Sequence, residues 1–405
     1  MKDYNWREER EKFRPDFQTK KETPPPAEPP KDDLPKESDS RKTIAVIAGL
    51  AAIALIVVGC CLFLPDKNAD AAAKEQTDQK KTVADAEEKD ADQKKTVADA
   101  EKKNVAQDSA TMLANAAAKY KNAVGLVTVT FEMKSGRKLT QPIGTAWAFD
   151  ENKFATNAHV AKGIGECVGS TKRQLVQLVL SEHVKAEKVK NLDELERKIG
   201  TEKFRLLVNE AAARVQSEIK EISASIVING TYGKSYNITK FQMHKNYGIV
   251  NSSFDPDVAV LTIQGKHDTF FKIAGQTGLH ALRAGDPVAF LGFPMENLMR
   301  GNVNVTNPVA SMQTGSIVAV TDFDLKDAGE NGNLLIRHNL PAAGGASGSP
   351  IFNKNGEVVA LLYAGNIIRQ SDGSRAPSAA MINLAVRADL IEGMGSIRGV
   401  SELLK

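Results

Sequence analysis

Residues 43 to 64, TIAVIAGLAAIALIVVGCCLFL, run for 22 positions without a charged side chain. About 20 apolar residues suffice to cross a bilayer as a helix, so this run predicts one transmembrane span. A buried core helix would carry a polar face over six turns, and this one carries none. Val57-Val58-Gly59-Cys60 also has the order of a bacterial lipoprotein cleavage site, leaving lipidation at Cys60 or Cys61 open. Against it stand 42 mixed-charge residues ahead of the run, far more than a signal n-region holds. Arg41 and Lys42 abut its amino end and Asp66 the other. This asymmetry predicts a single-pass protein with a cytoplasmic N-terminus and everything after residue 65 extracytoplasmic.

Residues 1–42 contain ETPPPAEPPKDDLP and read as a disordered tail. Beyond the span, DQKKTVADAEEKDA at 78–91 is followed by DQKKTVADAEKK at 92–103, a repeat of 14 residues or two heptads. The pattern predicts a charged helical stalk over 65–118, whose stripe of Val83, Val97 and alanines is thin for a coiled coil. Fully helical, it would reach ~80 Å.

From Val124 the texture changes to short runs rich in Val, Ile, Thr and Phe: VGLVTVTFEM, PIGTAWAF, FATNAHV, DVAVLTI, DPVAFLGF, GSIVAVTDF, NLLIRHNL, SPIFN and EVVALLYAG. Turn residues separate them, and Asn355-Gly356 between the last two is a hairpin signal. The domain from 119 to 405 is therefore mainly β, a sandwich or a barrel. One stretch, about 173–224, departs from this. Leu192, Leu195, Ile199, Phe204, Leu207, Val208, Ala211, Val215, Ile219 and Ile222 recur at helical spacing and predict two amphipathic helices. Their stripe packs on the barrel or on itself, or it docks a second subunit or gates a cleft. A turn at Asn229-Gly230 then restores the β pattern.

A formal net charge of +3 over 405 residues is too small to mark a nucleic-acid binder. Three cysteines build neither a disulfide framework nor a four-cysteine zinc site, and Cys167 has no partner in the distal region. The histidines His183, His244, His267 and His280 fall in no metal-ligand spacing, so neither metal nor cofactor is implied. The chemistry must come from side chains.

Three of them have the types that nucleophilic hydrolysis requires. His159 ends FATNAHV, Asp257 opens a short apolar run in DPDVAVLTI, and Ser347 lies in GGASGSPIF. Glycines at 344, 345 and 348 allow successive backbone N–H groups to point into one concavity, which suits an oxyanion. A serine hydroxyl needs a base to take its proton, and that base needs a carboxylate to fix its tautomer. His159, Asp257 and Ser347 supply those roles, with the N–H groups of Gly345 and Ser347 as the oxyanion hole.

In the order His, Asp, Ser, the segments TNAHV, DVAVL and GASGSP resemble those of trypsin-like serine proteases, especially the bacterial Deg/HtrA branch. GTAWAF, FLGFP, YAGN and INLAV extend the resemblance over about residues 120–395. It implies two six-stranded β-barrels of the chymotrypsin type, here with a helical insertion, preceded by the stalk and the transmembrane helix. It implies a serine endopeptidase acting on polypeptide substrates, and it allows a homotrimer. Only 58 residues follow Ser347, enough to finish the second barrel but not to add the PDZ domain usual in that branch. In the family the loop before the serine and the strand after it wall the primary pocket. That assigns Pro341, Ala342, Tyr363, Ala364 and Gly365 to it, all uncharged, and so favours a small or medium apolar side chain over Lys or Arg. His338 is a pocket or structural residue. The rival reading is a catalytically silent scaffold that uses the same cleft for binding.

Overall fold

The computed structural model describes residues 108–249, 252–294, 304–364, 367–369, 375–377 and 382–405. The tail, the apolar run at 43–64 and the 14-residue repeat lie outside them. Among the described residues no helix is long and apolar enough to cross a membrane.

A helix over 108–120, α1, opens the described chain. Leu113, Ala116, Ala117 and Tyr120 recur every three or four positions along it and are buried. The Tyr120 ring stacks on Phe271 at 4.5 Å between centroids. This helix therefore belongs to the packed body, which begins ahead of the change in sequence texture at Val124.

Six strands follow, β1 Val124–Met133, β2 Lys138–Asp150, β3 Lys153–Thr156, β4 Ile219–Ile228, β5 Ser235–Met243 and β6 Ala259–Ile263. They pair in the order β5-β4-β1-β2-β3-β6, and a β5–β6 ladder closes the barrel. Period-two alternation sorts their side chains between two cores. On β1, Val127, Val129 and Phe131 fill this barrel. Val124 and Leu126, on the opposite face, join a second cluster shared with the next barrel, as does Trp147 of β2.

After β7 (Lys272–Ile273) come β8 Pro287–Gly292, β9 Ser311–Thr321, β10 Leu335–His338, β11 Pro350–Phe352 and β12 Glu357–Ala364. A two-stranded sheet of β13 (Ile367–Arg369) and β14 (Arg375–Pro377), then β15 (Asn383–Arg387) and β16 (Arg398–Gly399), complete the chain. The second barrel runs β11-β8-β9-β10-β15-β12 and closes through the β11–β12 hairpin at Asn355-Gly356. β7 and β16 each add one strand to a barrel edge. The architecture is mainly β with two closed six-stranded barrels, which decides between sandwich and barrel.

The helical region starts earlier and ends sooner than its sequence pattern suggests. Helix α2 runs unbroken from Ala158 to Ala186, followed by α3 (Leu192–Ile199) and α4 (Thr201–Glu218). Phe204, Val208, Ala211 and Val215 of α4 and Val160, Ile164, Val168 and Leu180 of α2 bury into the first-barrel core. The stripe packs inward. Ile219 and Ile222, which continue the helical spacing, instead lie on β4 opposite Met133 and Phe131.

Candidate active site

His159 is the second residue of α2, immediately after β3 ends at Thr156. Asn157, buried, starts the helix, and its side-chain Nδ2 donates to the backbone oxygen of Asp257 at 2.8 Å. Asp257 is fully buried at the entrance to β6. Its Oδ1 accepts the backbone N–H of His159 at 2.8 Å, and its Oδ2 lies 2.5 Å from His159 Nδ1. The carboxylate thus satisfies a free N–H at the first turn of α2, where the helix dipole favours negative charge. The same carboxylate fixes the imidazole with Nδ1 as donor, leaving Nε2 as acceptor. The His159 side chain is 40% exposed.

Ser347 comes from the loop between β10 and β11. Gly345 and Gly348 adopt φ of +87° and +86°, a region side chains rarely enter. A Cβ at 348 would also collide with the Thr145 carbonyl oxygen and with Thr156 Oγ1, so the loop can press against the first barrel only with glycine there. Several peptides of this loop are held. Thr145 N donates to Ser347 O at 3.0 Å, Ala346 N to Ala343 O, Gly348 N to Leu362 O, and Ser349 N to Ala346 O. Ser349 Oγ reinforces the last at 2.6 Å. Among the described residues, the N–H groups of Gly345 and Ser347 have no acceptor.

The structure joins His159 to Asp257 directly, and Tyr363 contacts both His159, by its ring, and Ser347, by its backbone oxygen. Ser347 Oγ lies 3.5 Å from the Tyr363 backbone oxygen, and the Tyr363 ring lies 6.4 Å from that of His159. No hydrogen bond joins His159 Nε2 to Ser347 Oγ among the described residues. Such bonds commonly tighten only when substrate is bound.

Of the residues assigned to the primary pocket, Pro341 is exposed and Ala342 is half-buried against the second-barrel core. Tyr363 turns its ring toward His159 and Phe254. Burial, with Asp257 and Asp255 close by, pushes its hydroxyl up to about 12, as it does that of Tyr247. Ala364 ends β12, its backbone paired with Leu384. Gly365 lies outside the described residues. His338 is fully buried on β10, a structural position, and burial drives its pKa down to about 4. Cys167 is half-buried on α2, its thiol pushed up by burial. Among the described residues no group of three or more His, Cys, Asp or Glu side chains could hold a metal ion.

Two closed barrels, a histidine–aspartate pair and a glycine-flanked serine loop between them define a peptidase of the trypsin class. The sequence model of the trypsin-like peptidase domain matches residues 144–361, more than half of the chain, and the protein belongs to that family. Among solved structures, an HtrA-type protease, AlgW, with a decapeptide is similar at 14% identity and a TM-score of 0.37. That match covers 69% of this chain and 64% of the other, less than two thirds of the neighbour's length. No curated protein matches the chain in sequence.

Proposed function

We propose that the protein is a serine endopeptidase of the Deg/HtrA type, tethered to a membrane by residues 43–64, that cleaves envelope proteins in quality control or processing. The observation that carries the catalytic part is the double contact of Asp257 with His159, which supports Nε2 as the base for Ser347. On substrate binding, Ser347 Oγ turns from the Tyr363 carbonyl toward Nε2 and attacks the scissile carbonyl carbon as its proton passes to His159. The oxyanion that forms accepts from the N–H groups of Gly345 and Ser347, both without another acceptor among the described residues. His159 then gives its proton to the leaving amine, and an acyl group remains on Ser347. Water, deprotonated by the same imidazole, releases it.

The tether draws its support from the uncharged run and the charge asymmetry around it. The test is fluorophosphonate labelling and casein cleavage by the full chain in detergent, with Ser347→Ala as comparison. Labelling and cleavage confined to the native protein are expected. A native chain that neither labels nor cleaves returns the protein to the scaffold reading.

A further inference from the structure

We propose that Thr145 is a positioning residue, whose hydroxyl holds the Gly345–Ser347 backbone in the form that offers its N–H groups to the cleft. The proposal rests on the serine-peptidase reading above. Thr145 is on β2 of the first barrel and is fully buried. It uses every polar atom it has. Its N–H donates to Ser347 O, its carbonyl accepts from Thr156 Oγ1 at 2.7 Å, and its Oγ1 donates to Gly345 O at 2.9 Å. The same Oγ1 accepts the backbone N–H of Phe293 at 3.1 Å.

The last contact gives the hydroxyl its direction. A hydroxyl has one proton to donate, and with the Phe293 amide taking an oxygen lone pair, that proton is left for Gly345 O. Gly292 makes the approach of Phe293 possible, since a Cβ there would collide with Ser349 Oγ and stand 3.2 Å from Thr145 Oγ1. Three elements thus meet at one oxygen: β2, the end of β8 and the serine loop.

The consequence falls on the peptide plane between Gly345 and Ala346. Thr145 Oγ1 holds its carbonyl, and Ala343 O holds its N–H at 3.1 Å. With this plane fixed on one side and Ser349 fixing the next, the Gly345 and Ser347 N–H groups are left without competing acceptors among the described residues. Remove the threonine hydroxyl and Gly345 O, half-buried, loses its donor. The plane is then free to turn so that the carbonyl seeks a donor elsewhere, and the hole loses its geometry.

The test compares Thr145→Val, which keeps the bulk and the N–H to Ser347 O, with Thr145→Ser, which restores the hydroxyl. Both are made in the full chain. Thr145→Val is expected to lower kcat for peptide cleavage and the rate of fluorophosphonate labelling about 100- to 1,000-fold, the range for loss of one oxyanion donor. KM should stay within about twofold, because ground-state binding is untouched. Thr145→Ser should return both rates to within about threefold of native. Thr145→Ala serves the same comparison should valine prevent folding. A Thr145→Val protein with native kcat, or one changed in KM alone, overturns the proposal. Amide hydrogen exchange over 343–349 decides the point independently of activity: faster exchange in Thr145→Val supports the clamp, and unchanged exchange refutes it even if the native chain proves inactive and the peptidase reading fails.

Discussion

Asp257 holds His159 at two points, accepting the main-chain N–H of the histidine through Oδ1 and its Nδ1 through Oδ2. This bidentate contact makes a sharp prediction for Asp257→Asn. The amide oxygen can keep the backbone bond, but the amide nitrogen then donates to Nδ1 and drives the proton to Nε2. The base is lost while the fold remains. We expect kcat/KM to fall by orders of magnitude with melting temperature little changed, read from steady-state cleavage and thermal denaturation. Native activity in this variant would remove His159 as the base.

Gly348→Ala tests how tightly the serine loop is pressed on the first barrel. The added methyl meets a backbone oxygen, which cannot swing away, at a φ of +86°. The backbone strain alone costs about 1–3 kcal/mol, and the collision adds to it. Loss of fluorophosphonate labelling together with a lowered urea midpoint is the expected result.

His338 sets a pH dependence. Burial is the main cause of its lowered pKa; the Leu384 backbone offsets part of the effect, although Nε2 forms no hydrogen bond among the described residues. The imidazole is neutral in the fold, and its Nδ1 accepts the Leu340 N–H at 3.2 Å. Its contribution to stability is complete above the unfolded value of 6.5 and is lost as pH falls toward about 4. The full span is worth about 3 kcal/mol. Urea midpoints at pH 7.5 and 4.5 should differ more for the native chain than for His338→Gln. Equal differences would exclude this group.

Tyr120→Ala asks whether α1 belongs to the folded body. The ring is buried, stacks on Phe271 and lies over Gly356. Its loss should cost about 3 kcal/mol in chemical denaturation. A cost near zero would show that α1 is dispensable to the barrels.

The strands were legible because short runs rich in Val, Ile, Thr and Phe, bounded by turn residues, suit a pleat buried on one face or both, as in VGLVTVTF, whose side chains divide between two cores. The meeting of His159 with Asp257 was legible through residue types and order. The start of α2 was not. Gly163, Gly165 and Gly169 weaken its helical propensity, while Val160, Ile164 and Val168 supply a stripe whose burial overrides it. Gly165 faces the Leu403 backbone closely, so packing accounts for at least one of those glycines. At the other end, Ile219 and Ile222 keep helical spacing but pair with β1, a long-range choice that local periodicity does not record. Thr145 was visible within GTAWAF without a role, because its partners at Gly345 and Phe293 lie 200 and 148 positions away.

Helix α2 carries the His159 imidazole on its first turn and continues without a break for 29 residues, about 43 Å. The imidazole and the far end of the insertion therefore share one continuous helix, and because Val160, Ile164, Val168 and Leu180 seat that helix on the first-barrel core, the same packing that holds the insertion also sets where His159 stands.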